Sequence, residues 1–243
     1  MLADLIPVLP DLPVLAAHIL AAVLPSVYLL RYIYRHDTVE PEPPGLLCKL
    51  LLFGVLAALC SGVLENLGGA ILDRFGPNDN RVYIILFAFF VIAVVEEGTK
   101  FLFLKLGTWR DPEFDYLFDG VVYAAFVSLG FAAFENIRYV FNFGLSVALA
   151  RALLAIPGHL SFSIFMGVYY GRARLYANRG NRTASKLSLW FGYLFAVFLH
   201  GFYDTCALLG TTKSTVLFVI FVCLMFAAAF RTLKRESRRD MPV

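Results

Sequence analysis

Residues 82–106 read VYIILFAFFVIAVVEEGTKFLFLKL. From Val82 to Val95 no side chain carries a charge, and the apolar residues occupy every face rather than one stripe. A helix of this length rises roughly 37 Å, more than the ~30 Å thickness of a bilayer's hydrocarbon core. Lipid offers no partner for an open backbone, so such a run spans the membrane as an α-helix. Glu96, Glu97 and Lys100 then lie deep in that helix, where no charge sits without a reason.

The rest of the chain follows the same pattern. Of 243 residues, 60% are hydrophobic and only 16% charged, and the mean hydropathy is +0.73. That composition excludes an ordinary soluble domain. We expect an all-α polytopic transmembrane bundle of about seven spans, at roughly 13–34, 46–72, 82–106, 118–142, 145–177, 187–210 and 213–233. The spans and short loops fill residues 1–243 as one integral membrane domain. The fifth run is too long for one straight crossing, and Pro157-Gly158 predicts a kink within it. The segment RHDTVEPEPPG between the first two spans reads as a linker. Lys and Arg crowd alternate loops: Arg31, Arg35 and Lys49; Lys105 and Arg110; Arg172 to Lys186; Arg231 to Arg239. The opposite loops hold Arg74, Arg81 and Lys213. The positive-inside rule then places the N-terminus outside and the C-terminus in the cytoplasm, as expected for a multi-pass protein of the cell membrane.

Other classes are excluded. Cys48, Cys60, Cys206 and Cys223 fall in apolar runs without a CxxC spacing, so neither a disulfide framework nor a thiolate metal site is expected. MLADLIPVLPDLP has acids and prolines where a cleavable leader needs basic residues, so the first span is expected to remain. A net charge of +3, with basic residues confined to loop ends, gives nucleic-acid binding no support.

Several ionisable residues remain at bilayer depth. Glu96 and Lys100 are four residues apart on one face and can pair, leaving Glu97 free to handle a proton. The fourth span carries Glu135 and Asn136, the fifth His159, and the sixth His200 and Asp204, one turn apart. Counted from the span midpoints, Glu96, Glu135, His159 and His200 fall within roughly 8 Å of the midplane, so one site can gather them. Glu65-Asn66 lies nearer the outer surface and reads as structural, while Arg138 and Arg151 read as residues that snorkel or pair at the outer interface.

Carboxylates, histidines and a lysine in a protected cavity suit hydrolysis of a peptide bond: a base to activate water, and donors for the oxyanion. Glu96 or Glu97 takes the water's proton, His159 and His200 hold the water or oxyanion, and Asp204 orients His200. The cofactor is either none or one zinc ion, with His159, His200 and Glu97 or Asp204 as ligands and another glutamate as base. No HExxH is present. The same midplane charges would also serve a proton-coupled transporter or channel, although such folds favour an internal repeat, and none is seen.

The motifs resemble the PrsW family of polytopic intramembrane proteases, related to the CPBP/Abi group that includes CAAX prenyl endopeptidases. The resemblance covers most of the chain. It rests on the EPEP-type loop (Glu40 to Pro43), EExxK (Glu96, Glu97, Lys100), GFAxxEN (Gly130 to Asn136), the R…PGH…F…G…YYG stretch (Arg151, His159, Gly167, Gly171) and HGxYD (His200, Gly201, Tyr203, Asp204). CAAX proteases typically show EExxxR and HxxxN, so the likeness is closer to PrsW. It implies proteolysis of a single-pass membrane protein within lipid, in some members the first cleavage of an anti-sigma factor at its extracytoplasmic side. Asn136, Tyr203 and Arg151 would support the site or bind substrate.

Overall fold

The computed structural model describes residues 12–76 and 80–243; residues 1–11, where the leader question falls, lie outside that range. Among the described residues, seven helices are long and apolar enough to cross a membrane: α1 (Leu12–Tyr34), α2 (Pro44–Leu72), α3 (Arg81–Thr108), α4 (Asp119–Phe143), α5 (Leu145–Asn178), α6 (Arg182–Leu208) and α7 (Thr212–Arg238). Among the described residues, β pairing is limited to an isolated bridge between Tyr116 and Pro242.

The helices start where polar side chains can cap them. Asn80 accepts from the Val82 amide before α3, Asn181 from the Ala184 amide before α6, and Thr211 and Ser214 form a reciprocal box before α7. Between α4 and α5 the chain reverses through Gly144 at φ +79°, a conformation that costs a side-chain-bearing residue.

Helix α4 is the centre of the bundle: 78% of its apolar window is buried, against 17% for α1 and 22% for α7. Hydrophobicity cannot sort helices in lipid, so close packing does. On one side Gly54 of α2 and Gly130 of α4 let the two backbones touch. On the other, a Cβ added at Gly167 of α5 would stand 2.5 Å from the Gly120 carbonyl oxygen of α4, and one at Gly120 would stand 2.6 Å from the Gly167 oxygen. Because the obstacle is backbone, Gly167→Leu is expected to push α5 off α4 and to destabilise the protein by about 1–3 kcal/mol or more. Melting of the purified variant in detergent measures this, and wild-type melting would overturn the packing argument.

Two helices are interrupted next to the ionisable residues. A π-helical stretch, Phe87–Ala93, precedes Glu96 in α3, and another, Arg151–Ala155, precedes Pro157 in α5. The break expected at Pro157 is therefore a wide turn just before it, where a ring lacking N–H leaves the preceding carbonyls short of partners.

The linker between α1 and α2 is folded rather than loose. Asp37 accepts from the Glu42 amide at 3.2 Å, and Glu42 accepts from the Tyr123 hydroxyl of α4 at 2.7 Å. Asp240, just past α7, accepts from the Phe118 amide at 2.9 Å. Burial raises all three carboxyls, Asp37 to about 6 and Glu42 to about 8. A raised acid favours the folded state while protonated, so its contribution is present at low pH and lost as pH rises through the folded value. We therefore expect wild-type melting to fall as pH rises from about 4 to about 8, and the Glu42→Gln variant to lose less over the same window. Equal slopes for the two proteins would remove Glu42 from the effect.

Candidate active site

The ionisable residues of four helices meet around the Lys100 ammonium. Its Nζ donates to Glu96 Oε2 at 3.1 Å and Glu97 Oε1 at 2.8 Å, lies 3.0 Å from His159 Nδ1, and sits 3.9 Å from the centre of the Phe131 ring. An ammonium has only donors, so His159 Nδ1 is an acceptor and its proton resides on Nε2, which donates to Glu135 Oε2 at 3.0 Å. Arg151 Nη2 donates to the same Glu135 oxygen at 2.8 Å, and its Nε donates to Asn136 Oδ1. Asn136 in turn donates to the Ala22 carbonyl, tying α1, α4 and α5 together at the edge of the site.

His200 closes the group. Nδ1 donates to Glu97 Oε1 at 2.9 Å, while Nε2 lies 3.3 Å from Asp204 Oδ2 and 4.0 Å from Glu96 Oε2. Phe162 stacks on the imidazole at 4.7 Å and fixes its plane. The two histidine rings stand 5.3 Å apart, nearly perpendicular. Glu97 and Lys100 are almost fully buried, at 0% and 2% exposure.

A cavity of about 600 Å³ opens from this cluster. Glu96, Glu135, His159, His200, Tyr203 and Asp204 line it, with Arg151 above; Glu97 and Lys100 do not. The structure corrects the pairing expected inside EExxK: Glu97 is not free, because the long lysine stem reaches the i−3 acid as well as the i−4 acid, and His200 arrives from α6 onto the same oxygen. Of the two alternatives for Arg151, snorkelling or pairing, the structure shows pairing, with Glu135. Glu65 and Arg138, read as structural and interfacial, both line the cavity. Phe131, inside the GFAxxEN motif, and Phe162 shape the environment of Lys100 and His200, a role that the sequence of an aromatic-rich chain does not reveal.

A family profile described as "PrsW family intramembrane metalloprotease" matches residues 42–229. The chain belongs to the PrsW protease family. It is 35% identical to Protease PrsW of Geobacillus kaustophilus over 91% of this chain and 93% of that protein, and 34% identical to its counterpart in Oceanobacillus iheyensis over 91% and 96%. Protease PrsW of Bacillus subtilis is 29% identical over 93% and 97%. No solved structure matches. The chain is thus a PrsW-family protease, a multi-pass membrane hydrolase.

The family description implies a metal, and the donors present fit one. Ligand atoms of Glu96, Glu97, His159 and His200 lie within 4.8 Å of one another, all buried, and Glu97 Oε2 is a buried oxygen without a hydrogen-bond partner. Two carboxylates and two imidazoles are a zinc-type donor set. His159, His200 and Glu97 would hold the ion and leave Glu96 at the cavity edge as base; the ion would polarise a carbonyl and acidify a bound water. The Lys100 ammonium already supplies a positive charge among these four residues, and Asp204 stands outside the group as a partner of His200.

Proposed function

We propose that the chain is an endopeptidase that cuts a membrane protein inside the bilayer, with Glu96 as general base. The observation that carries the reading is the split within EExxK: Glu96 borders the cavity while its neighbour Glu97 is sealed behind it. A water held across the 4.0 Å between Glu96 Oε2 and His200 Nε2 has one acceptor ready for its proton. Glu96 takes that proton as the water oxygen adds to the substrate carbonyl carbon. The resulting oxyanion accepts from an imidazole N–H. His159 Nε2–H can turn to it because Glu135 keeps Arg151 as a partner. Collapse of the tetrahedral species breaks the C–N bond, and the proton on Glu96 passes to the departing amine. Lys100 and Glu97 position Glu96 and His200, and Asp204 holds the second nitrogen of His200.

The substrate we infer is a single-pass membrane protein, an anti-sigma factor in the scheme the family resemblance implies. With the C-terminus in the cytoplasm, as the distribution of Lys and Arg supports, the cavity end bearing Arg138, Leu208 and Thr215 faces outward. That supports cleavage at the extracytoplasmic side. The test is cleavage of a tagged single-pass anti-sigma factor from the same genome by purified protein in nanodiscs, with the new termini located by mass spectrometry and bound metal measured on the same preparation. A cut near the outer end of the substrate span is expected. Stoichiometric zinc would make His159 and His200 ligands; an intact substrate would defeat the reading.

A further inference from the structure

A peptide bond in a transmembrane helix is guarded by its own hydrogen bonds. To reach the carbonyl, several substrate residues must unwind, and each freed N–H and C=O in a water-poor cavity needs a new partner. The groups around Lys100 are bonded to one another, and the oxygen left over, Glu97 Oε2, belongs to a residue that does not border the cavity.

Two charged side chains of the same cavity are not committed. Glu65 of α2 is half-buried and lines the cavity, and its shielded Oε1 has no hydrogen-bond partner among the described residues. Its neighbour Asn66 turns onto its own helix, donating to the Gly62 carbonyl at 2.7 Å, and so leaves the cavity side to Glu65. Arg138 of α4 is exposed at the mouth and makes no ion pair among the described residues, not even with Glu65. Its Nη1 would lie 3.3 Å from a Cβ added at Gly62, so the guanidinium runs along α2 one turn from Glu65 through space that this glycine leaves open. An unpartnered acceptor and an unpartnered donor border one cavity, which matches what an extended backbone presents: N–H groups alternating with C=O groups.

We propose that Glu65 and Arg138 clamp the unwound backbone of the substrate, the Glu65 carboxylate turning into the cavity to accept from a substrate N–H and Arg138 donating to a substrate C=O. This rests on the protease reading for its substrate class, and it assigns both residues a positioning role rather than a part in the chemistry.

The experiment measures substrate binding in nanodiscs in a Glu96→Gln background, so that no turnover intervenes, and kcat and KM with Glu96 intact. Glu65→Leu removes the acceptor; Kd and KM are expected to rise about tenfold or more, the weight of one hydrogen bond to a charged group, with kcat within about threefold of wild type. Glu65→Gln keeps an acceptor oxygen and is expected to bind within about threefold of wild type. Arg138→Leu should weaken binding and Arg138→Lys should largely restore it. Should Glu65→Leu fail to fold, Glu65→Ala carries the same expectation. Unchanged binding in the Leu variants would overturn the clamp, as would a fall in kcat at constant Kd, or a Gln variant as weak as Leu. If wild-type protein binds but never cuts, while Glu65→Leu loses binding, the clamp stands and the protease reading falls.

Discussion

Glu96→Gln is expected to lower kcat/KM by about 10²- to 10⁴-fold, the range a positioned general base supplies, with melting and substrate binding at wild-type level. The amide keeps the shape of the side chain and an oxygen for the Lys100 ammonium, so the cluster stays assembled. What it loses is the ability to take a proton at the cavity edge. Glu97→Gln should behave differently. Glu97 Oε1 is shared by Lys100 and His200, and nothing of Glu97 reaches the cavity. Neutralising it removes the charge that holds two cationic or donating groups in place, so a smaller loss of rate should come with earlier melting. Kinetics and melting on the same preparations distinguish the two acids. An inactive Glu97→Gln protein with wild-type melting, beside an active Glu96→Gln protein, would exchange their roles.

Much of this arrangement is legible in the chain because lipid simplifies the reading. A charge-free run of helical length can only span, and a carboxylate inside such a run needs a partner, so the sequence alone brings Glu96, Glu135, His159 and His200 to one depth. What the spacing could not show is how far a side chain reaches and what comes from another helix. Lys100 touches both acids of EExxK, and His200 binds the one expected to be free. The π-helical stretches Phe87–Ala93 and Arg151–Ala155 are likewise invisible, since the residues suit an α-helix and only tertiary contacts such as Gly201 against the Phe89 ring show where the register slips. Glu42 looked like part of a solvated linker because prolines and acids surround it. Its buried bond to Tyr123 depends on α4, 81 positions away. The place of Glu65 at the cavity wall was hidden for a similar reason: its height in the membrane was clear, but the extent of the cavity beside it belongs to the packed bundle.

Lys100→Met is expected to destabilise the protein by about 3–5 kcal/mol as well as to abolish cleavage, because removing one partner of a buried ion cluster leaves the others uncompensated. Glu96 and Glu97 would then face each other across adjacent positions, 4% and 0% exposed, with His159 Nδ1 short of its donor. Methionine fills the lysine's volume against Phe131, so the loss measures charge rather than a cavity. The informative comparison is Lys100→Met combined with Glu97→Gln, which removes one of the two stranded charges. Its melting should recover most of the way to wild type, while cleavage stays lost because Glu96 has no ammonium to hold it. Lys100→Arg should not substitute for lysine: the planar fork needs more width than a site with Nζ 2.8 Å from Glu97 and 3.0 Å from His159 provides. If the single Met variant melts like wild type, the ammonium does not hold the cluster together. If the double variant recovers cleavage as well as melting, Lys100 serves only to neutralise Glu97, and the positioning of Glu96 must come from α6 instead.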